Sequence, residues 1–322
     1  MINKDRLNSI LLVFISIIFT FLLCEIILRI KHSLIPNYDI EMWRYAKELK
    51  ISVDDKTISH IHKPNASSIL QNVEITTNSY GQRDIEYDNN FLKKHNRRFL
   101  IIGSSIPLGW GVKKEETYSS LLNLKSQKNE KNWIFINGGV GNYNFERYSN
   151  NYLKNWSNLK FTDIIISYFV NDAEILEYKK TNFFIKHTHL GVVSWKLFNS
   201  FKSSLKKENL DQYYKKIYED EFKGFILLKK ELIKLNNYCK NNNIKCHLIN
   251  MPDIHQLNPY KLKFINNKMY KLTEEVNMKY LDLLPVFENL DEKLLWNKYK
   301  DPHPNSYAHK LISDKIFQYL IK

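Results

Sequence analysis

Four short segments carry the side chains with useful chemistry. The first is Gly103-Ser104-Ser105-Ile106-Pro107-Leu108-Gly109-Trp110-Gly111, where glycines permit a tight turn and close backbone approach around two serines. A serine exposed at such a turn can meet an acyl group; the plain alternative is a turn whose hydroxyls satisfy the backbone. The second, Asn137-Gly138-Gly139-Val140-Gly141-Asn142-Tyr143, combines the two residues that best tolerate left-handed backbone angles. An N–H can there be turned inward toward an oxyanion. In the third, Phe169-Val170-Asn171-Asp172, the Asn171 amide can donate to the same oxygen. The fourth is Asp301-Pro302-His303-Pro304-Asn305. A carboxylate beside a histidine can hold the imidazole in the tautomer a general base needs, although a proline-stiffened turn with a helix cap explains the same residues. No segment decides alone.

Their placement says more. Short apolar runs alternate with helical patterns: Phe99–Ile102 then Glu116–Leu124; Trp133–Ile136 then Phe145–Leu159; Asp163–Tyr168 then a long irregular stretch. Glu219–Asn241 reads as helix, Ile244–Asn250 as strand, Leu262–Met278 as helix, Tyr280–Leu283 as strand and Ser306–Ile321 as a closing helix. This alternation predicts an α/β fold, a three-layer doubly wound parallel sheet of about five strands. Such sheets bind ligands outside the carboxyl ends of their strands. The first three chemical segments each follow a predicted strand, and the fourth precedes the last helix.

Taken in order, these segments resemble the sequence blocks of the SGNH/GDSL hydrolase superfamily over about residues 98–321. The stretches Glu25-Ile26-Ile27-Leu28-Arg29 and Thr77-Asn78-Ser79-Tyr80-Gly81-Gln82-Arg83-Asp84 are similar to the lead-in of membrane-anchored bacterial members. The resemblance implies a flavodoxin-like SGNH hydrolase fold, with Ser105 as nucleophile, His303 as general base and Asp301 as its orienter. It implies oxyanion donors at the Ser105 N–H, the Asn171 side chain and a backbone N–H of the second block. Counting from Asn137 that donor is Asn142, with Gly141 one residue early as the other choice. Three positions depart from the pattern: Gly-Asp-Ser is Gly103-Ser104-Ser105, the second-block glycine falls on Asn142, and the glycine before the third-block Asn is Val170. The implied activity is a serine esterase or acylhydrolase acting on an ester-bearing small molecule, glycan or lipid, with no cofactor and no metal. An acyltransferase passing an acetyl group to a sugar would use the same triad, and a non-catalytic tethered binding protein is the alternative from another class.

The remaining sequence sets the domain plan. Residues 9–30 are apolar except for Ser16, Thr20, Glu25 and Arg29, and as a helix they span about 33 Å, enough for a bilayer core. This predicts a single-pass N-terminal anchor with the catalytic domain outside the cytoplasm, although Lys4, Arg6, Arg29 and Lys31 flank both ends and give no orientation vote. Residues 33–97, with a strand at Val73–Thr77, form a connector packed on the main domain, 98–322. That domain carries an insertion at 183–218, leaving from the edge that bears Asn171. Within it Trp195, Phe198, Phe201 and Leu205 make an apolar helical stripe backed by Lys196, Lys202, Lys206 and Lys207. The stripe packs on the core or lies in the bilayer interface.

The net charge of +14 is spread along helices without a nucleic-acid motif, so a membrane surface rather than nucleic acid is the expected partner. His255, in Met251-Pro252-Asp253-Ile254-His255, follows the fourth strand; structural packing is the first explanation of it, and substrate contact is the alternative that makes it a candidate site residue. His309 supports the last helix. His60-x-His62 and His187-x-His189 read as exposed loop histidines, and Cys239 and Cys246 as buried free thiols able to pair.

Overall fold

The computed structural model describes residues 4–177, 182–204, 209–298 and 301–322. In chain order the helices are α1 (Lys4–Leu34), α2 (Tyr38–Glu48), α3 (Asn89–Lys93), α4 (Ser105–Leu108), α5 (Tyr118–Lys128), α6 (Phe145–Asn151), α7 (Phe183–His187), α8 (His189–Ser204), α9 (Leu210–Ile217), α10 (Lys223–Asn241), α11 (Lys263–Glu275), α12 (Leu284–Phe287) and α13 (Ser306–Ile321). The strands are β1 (Lys50–Ser52), β2 (His60–His62), β3 (Ser67–Leu70), β4 (Val73–Thr76), β5 (Arg97–Gly103), β6 (Trp133–Gly139), β7 (Asp163–Tyr168), β8 (Lys245–Asn250), β9 (Lys279–Asp282), β10 (Trp296–Lys298) and β11 (Asp301–Pro304). The chain divides into two compact units, Met1–Lys47 with Lys179–Lys207 and Glu48–Tyr178 with Glu208–Lys322.

The larger unit is built on a five-stranded sheet in the order β6-β5-β7-β8-β9, every pair parallel. Side chains alternate across it, so β5 sends Leu100 and Ile102 to one face and Phe99 and Ile101 to the other. All four are buried, as a parallel sheet covered on both faces requires. Phe145 and Tyr148 of α6, Leu232 of α10 and Met269 of α11 cover the first face. Tyr118 and Leu122 of α5 with Ile312 and Ile316 of α13 cover the second. The three-layer, doubly wound α/β architecture is therefore present, in the order 2-1-3-4-5 counted along these strands.

Some local expectations change. The helix expected over Phe145–Leu159 is α-helical only to Asn151, then widens into a π turn at Tyr152–Trp156. Trp156 is buried there and donates its indole N–H to Tyr80 O at 3.1 Å. His60 and His62 are not exposed loop residues: they lie in β2, paired antiparallel with β1, and bond to backbone carbonyls. Burial pulls His62 down to about 3, so its ring is neutral where it meets Gly81 O. Cys239 and Cys246, expected as free thiols, are joined in a disulfide between the end of α10 and β8. The hairpin β3–β4 turns at Gln71 and Asn72, both with positive φ (53° and 66°), the geometry of a two-residue hairpin turn.

The smaller unit is helical, and its Arg6–Leu34 segment is long and apolar enough to cross a membrane. Glu25 has a clear structural partner there. Its carboxylate accepts the N–H groups of His189 (3.0 Å) and Leu190 (2.8 Å), satisfying orphan donors at the start of α8, while Arg29 pairs with it at 2.7 Å. On α8, Trp195, Phe198 and Phe201 are 53%, 67% and 66% exposed, so they are not core residues. Leu205, Lys206 and Lys207 lie outside the described residues.

Candidate active site

β5 ends at Gly103, and two residues later Ser105 opens the one-turn helix α4. This turn sits tightly against the next strand. A Cβ on Gly139 would come within 2.3 Å of Leu108 N, so only glycine lets β6 lie beside α4. Asn137 reinforces the contact by donating to Pro107 O at 2.7 Å. The helix stops at Gly109, whose φ of 75° is left-handed.

His303 is delivered from the far end of the chain. β11 pairs with β10, setting Pro304 opposite Trp296. Asn305 then caps α13 by accepting from Ala308 N at 3.0 Å, and donates to Leu294 O (2.8 Å) and Trp296 O (3.1 Å). The result is a continuous relay. His303 Nε2 is 3.0 Å from Ser105 Oγ, and His303 Nδ1 is 2.6 Å from Asp301 Oδ1. With the Nδ1–H donated to the buried Asp301 carboxyl, Nε2 is the ring atom that faces the serine hydroxyl. The same carboxylate oxygen accepts the His303 backbone N–H at 3.2 Å, fixing the ring to its own strand.

The strand order places β6 and β7 on either side of β5, so the loops bearing Asn142 and Asn171 leave the sheet on either side of the serine strand. Of Gly141 and Asn142, it is Asn142 that takes the left-handed conformation, with φ of 64°. Its N–H has no hydrogen-bond acceptor among the described residues. Asn171 sits in a single 3₁₀ turn, Val170–Ala173, with Oδ1 buried and without a partner among the described residues. The Ser105 N–H is the first of α4 and has no intrahelical acceptor. Asn144 Nδ2 donates to Glu174 O at 2.8 Å, tying the two flanking loops together.

The departures at Ser104 and Val170 leave this framework in place. Ser104 precedes α4 without a side-chain capping bond, and Val170 is buried in the core. Sequence reasoning missed the supports behind the site. Arg83, 1% exposed, donates to Leu108 O (2.9 Å), Gly109 O (2.8 Å) and Val112 O (2.9 Å). Asp84 accepts from Asn137 N at 2.7 Å. Both belong to the Thr77–Asp84 lead-in, whose order was visible in the sequence although its burial was not.

His255 repeats the local geometry of His303. Its Nδ1 meets Asp253 Oδ1, and its backbone N–H reaches the same oxygen at 3.0 Å. The bond to Asp253 raises His255 above its ordinary value against the opposing effect of burial, and the charges of Asp253 and Asp301 add to it. Trp296 donates its indole N–H to Ile254 O at 2.7 Å, joining this segment to the strand that faces β11. Here a cavity of about 240 Å³ is lined by Asn209, Asp211, Asp253, His255, Tyr260 and Lys261 among others. His309 is fully buried and accepts from Tyr118 N at 3.1 Å; it supports the start of α5 from α13 and lies outside the relay.

No family model and no curated protein matches the sequence. Among solved structures, the chain is similar to the psychrotrophic esterase EstA from Pseudoalteromonas sp., at 15% identity and TM-score 0.44 over 70% of this chain and 100% of that one. It is similar to a protein from Desulfitobacterium hafniense assigned to the G-D-S-L lipolytic family, at 15% identity and TM-score 0.45 over 69% and 99%. A third is a catalytic mutant of Axe2, an acetylxylan esterase from Geobacillus stearothermophilus, at 14% identity and TM-score 0.46 over 70% and 94%. With TM-scores this low, these likenesses carry no weight for the chemistry. That has to come from the residues themselves, and at the carboxyl edge of the sheet Ser105, His303 and Asp301 form one hydrogen-bonded chain.

Proposed function

We propose that the chain is a serine esterase of the SGNH/GDSL kind, tethered to a membrane by α1. The supporting observation is the relay, with Ser105 Oγ at 3.0 Å from His303 Nε2 and Asp301 at 2.6 Å from Nδ1. Ser105 attacks an ester carbonyl while its proton passes to His303 Nε2, and Asp301 steadies the imidazolium. The Ser105 and Asn142 N–H groups and Asn171 Nδ2 receive the developing oxyanion. Collapse expels the alcohol, which takes the proton from His303. Water then attacks the acyl-serine, gives its proton to His303, and Ser105 is regenerated as the acid departs. A sugar hydroxyl in place of water makes the same sequence an acyl transfer.

His255 contacts the substrate. Its Nδ1 is committed to Asp253, so Nε2 is the atom offered to the polar cavity, whose carboxylate, amide and ammonium groups suit a hydroxylated glycan or a lipid headgroup. With α1 as a tether, an envelope ester is the substrate this reading favours, and the catalytic unit is proposed to face outside the cytoplasm.

The test is covalent labelling of the purified full chain with a fluorophosphonate probe. The wild type is labelled and Ser105→Ala is not. A folded wild type that stays unlabelled beside a labelled control esterase would mean a non-catalytic binding protein.

A further inference from the structure

The carbonyl immediately before the Asn142 N–H is held from the β1–β2 hairpin. Lys50 Nζ donates to Gly141 O at 2.7 Å, and His60 Nε2 is 3.2 Å from the same oxygen. In that hairpin Lys50 lies opposite His62 and Ser52 opposite His60. Lys50 and His60 are therefore diagonal neighbours on one face, aimed at one acceptor. Lys50 is 7% exposed, and lysines are almost never buried this far without a compensating partner. Burial pulls it well below the ordinary lysine range, but amine and ammonium alike can donate to a carbonyl. Burial also pulls His60 down to about 2, so the ring is neutral and its Nε2–H is the donor to Gly141 O. Tyr143 sets that ring by donating to His60 O and packing on it at 4.9 Å between centroids.

A carbonyl and the N–H that follows it belong to one planar trans unit and point in opposite directions. Fixing Gly141 O on the hairpin side fixes the Asn142 N–H on the other side. This loop leaves β6 beside the serine strand, where Val140 N donates to Gly103 O at 3.1 Å. Two donors on the carbonyl also polarise the amide and strengthen its N–H as a donor.

We propose that Lys50 and His60 are positioning residues that hold the Gly141–Asn142 peptide with its N–H presented as an oxyanion donor for Ser105. The assignment rests on Ser105 being the nucleophile. It gives the hairpin a role in the reaction although neither side chain touches substrate.

Lys50→Met and His60→Phe each remove one donor while preserving bulk. In the full chain, each variant should lower kcat on a short acyl ester by about 10- to 100-fold with KM unchanged. Fluorophosphonate labelling, in which Ser105 Oγ displaces fluoride at phosphorus while the phosphoryl oxygen occupies the oxyanion site, should slow in proportion. Lys50→Arg, which keeps a donor, should recover part of both rates. A folded variant with wild-type kcat and labelling rate, altered only in thermal midpoint, overturns the proposal and leaves the triad standing. If Lys50→Met does not fold, His60→Phe decides by the same readouts. Failure of the underlying esterase reading is separate, because the wild type itself would then be neither active nor labelled.

Discussion

Arg83 donates to the carbonyl of Gly109 at 2.8 Å from a position with almost no solvent access. Gly109 ends the turn that Ser105 begins, so the guanidinium clamps the carboxyl end of α4. Its other bonds go to Leu108 O, Val112 O and Glu74 O at 2.9, 2.9 and 3.0 Å, which ties hairpin β3–β4 to the same turn.

Arg83→Met should therefore lower stability by about 3 kcal/mol or more, because several buried carbonyls lose their donor together. Arg83→Lys should not restore it, since one ammonium cannot reproduce the planar fork. Denaturant unfolding of the two variants checks this; an Arg83→Lys protein as stable as wild type would contradict the fork geometry.

In the proposed mechanism Ser105 and His303 act on one proton, so their losses should not multiply. Ser105→Ala and His303→Ala should each reduce esterase activity by about 10⁴-fold or more, with the double variant little worse than either single. Steady-state rates on a water-soluble ester measure all three. A double variant showing the product of the two losses would mean that the 3.0 Å contact is not the working one.

Much of this was legible in the sequence, for identifiable reasons. Strands such as Asp163–Tyr168 and the helix Ser306–Ile321 have strong apolar patterns and clear boundaries, so both appear where expected. The relay residues were visible because Ser105 follows a strand, His303 precedes a helix, and the four segments in that order resemble the SGNH/GDSL sequence blocks. Lys50, His60 and Arg83 were not. Each lies far along the chain from the group it holds, and a buried lysine or arginine has the same letter as a solvated one. The same limit applied to Cys239 and Cys246, whose pairing depends on the turn between α10 and β8.

Asn171 carries a buried carbonyl oxygen with no partner among the described residues. An unpaired acceptor opposes folding, so removing it should cost little stability, whereas removing Nδ2 costs catalysis. Asn171→Ala should reduce kcat by about 10²–10³ with KM unchanged and no fall in thermal midpoint. A rise in KM alone would make Asn171 a substrate-binding residue.

Asp172, beside it, gives the pH dependence. Burial drives its carboxyl up from the usual 3.8 to about 8, against the opposing bonds from the Phe169 N–H (3.0 Å) and the Tyr148 hydroxyl (2.8 Å). Between those two values the folded protein holds a proton that the unfolded chain has released. Stability must then fall as pH rises from about 4 to about 8, and level off above. Asp172→Asn keeps the acceptor oxygen without the ionisation, so its advantage over wild type should grow across that window. Unfolding free energies at pH 5, 7 and 9 check it; parallel curves would show that Asp172 ionises normally.

The exposed face of α8 leads to the last prediction. Trp195, Phe198 and Phe201 follow at helical steps and all stand more than half exposed, on a helix whose first N–H groups are bound by Glu25 of the apolar α1. Exposing large aromatic surface to water is unfavourable, but a bilayer interface accommodates aromatics and meets flanking lysines with anionic lipid. The full chain should be fixed to membranes through α1, so the contribution of α8 is measured without it. A chain beginning after α1 should co-float with vesicles containing anionic lipid at low salt and be released by high salt. Phe198→Glu with Phe201→Glu should abolish binding while leaving the circular dichroism spectrum and ester hydrolysis intact. If the truncated chain is active yet never binds anionic vesicles, α8 is not a lipid contact; if binding survives the double substitution, the contact lies elsewhere.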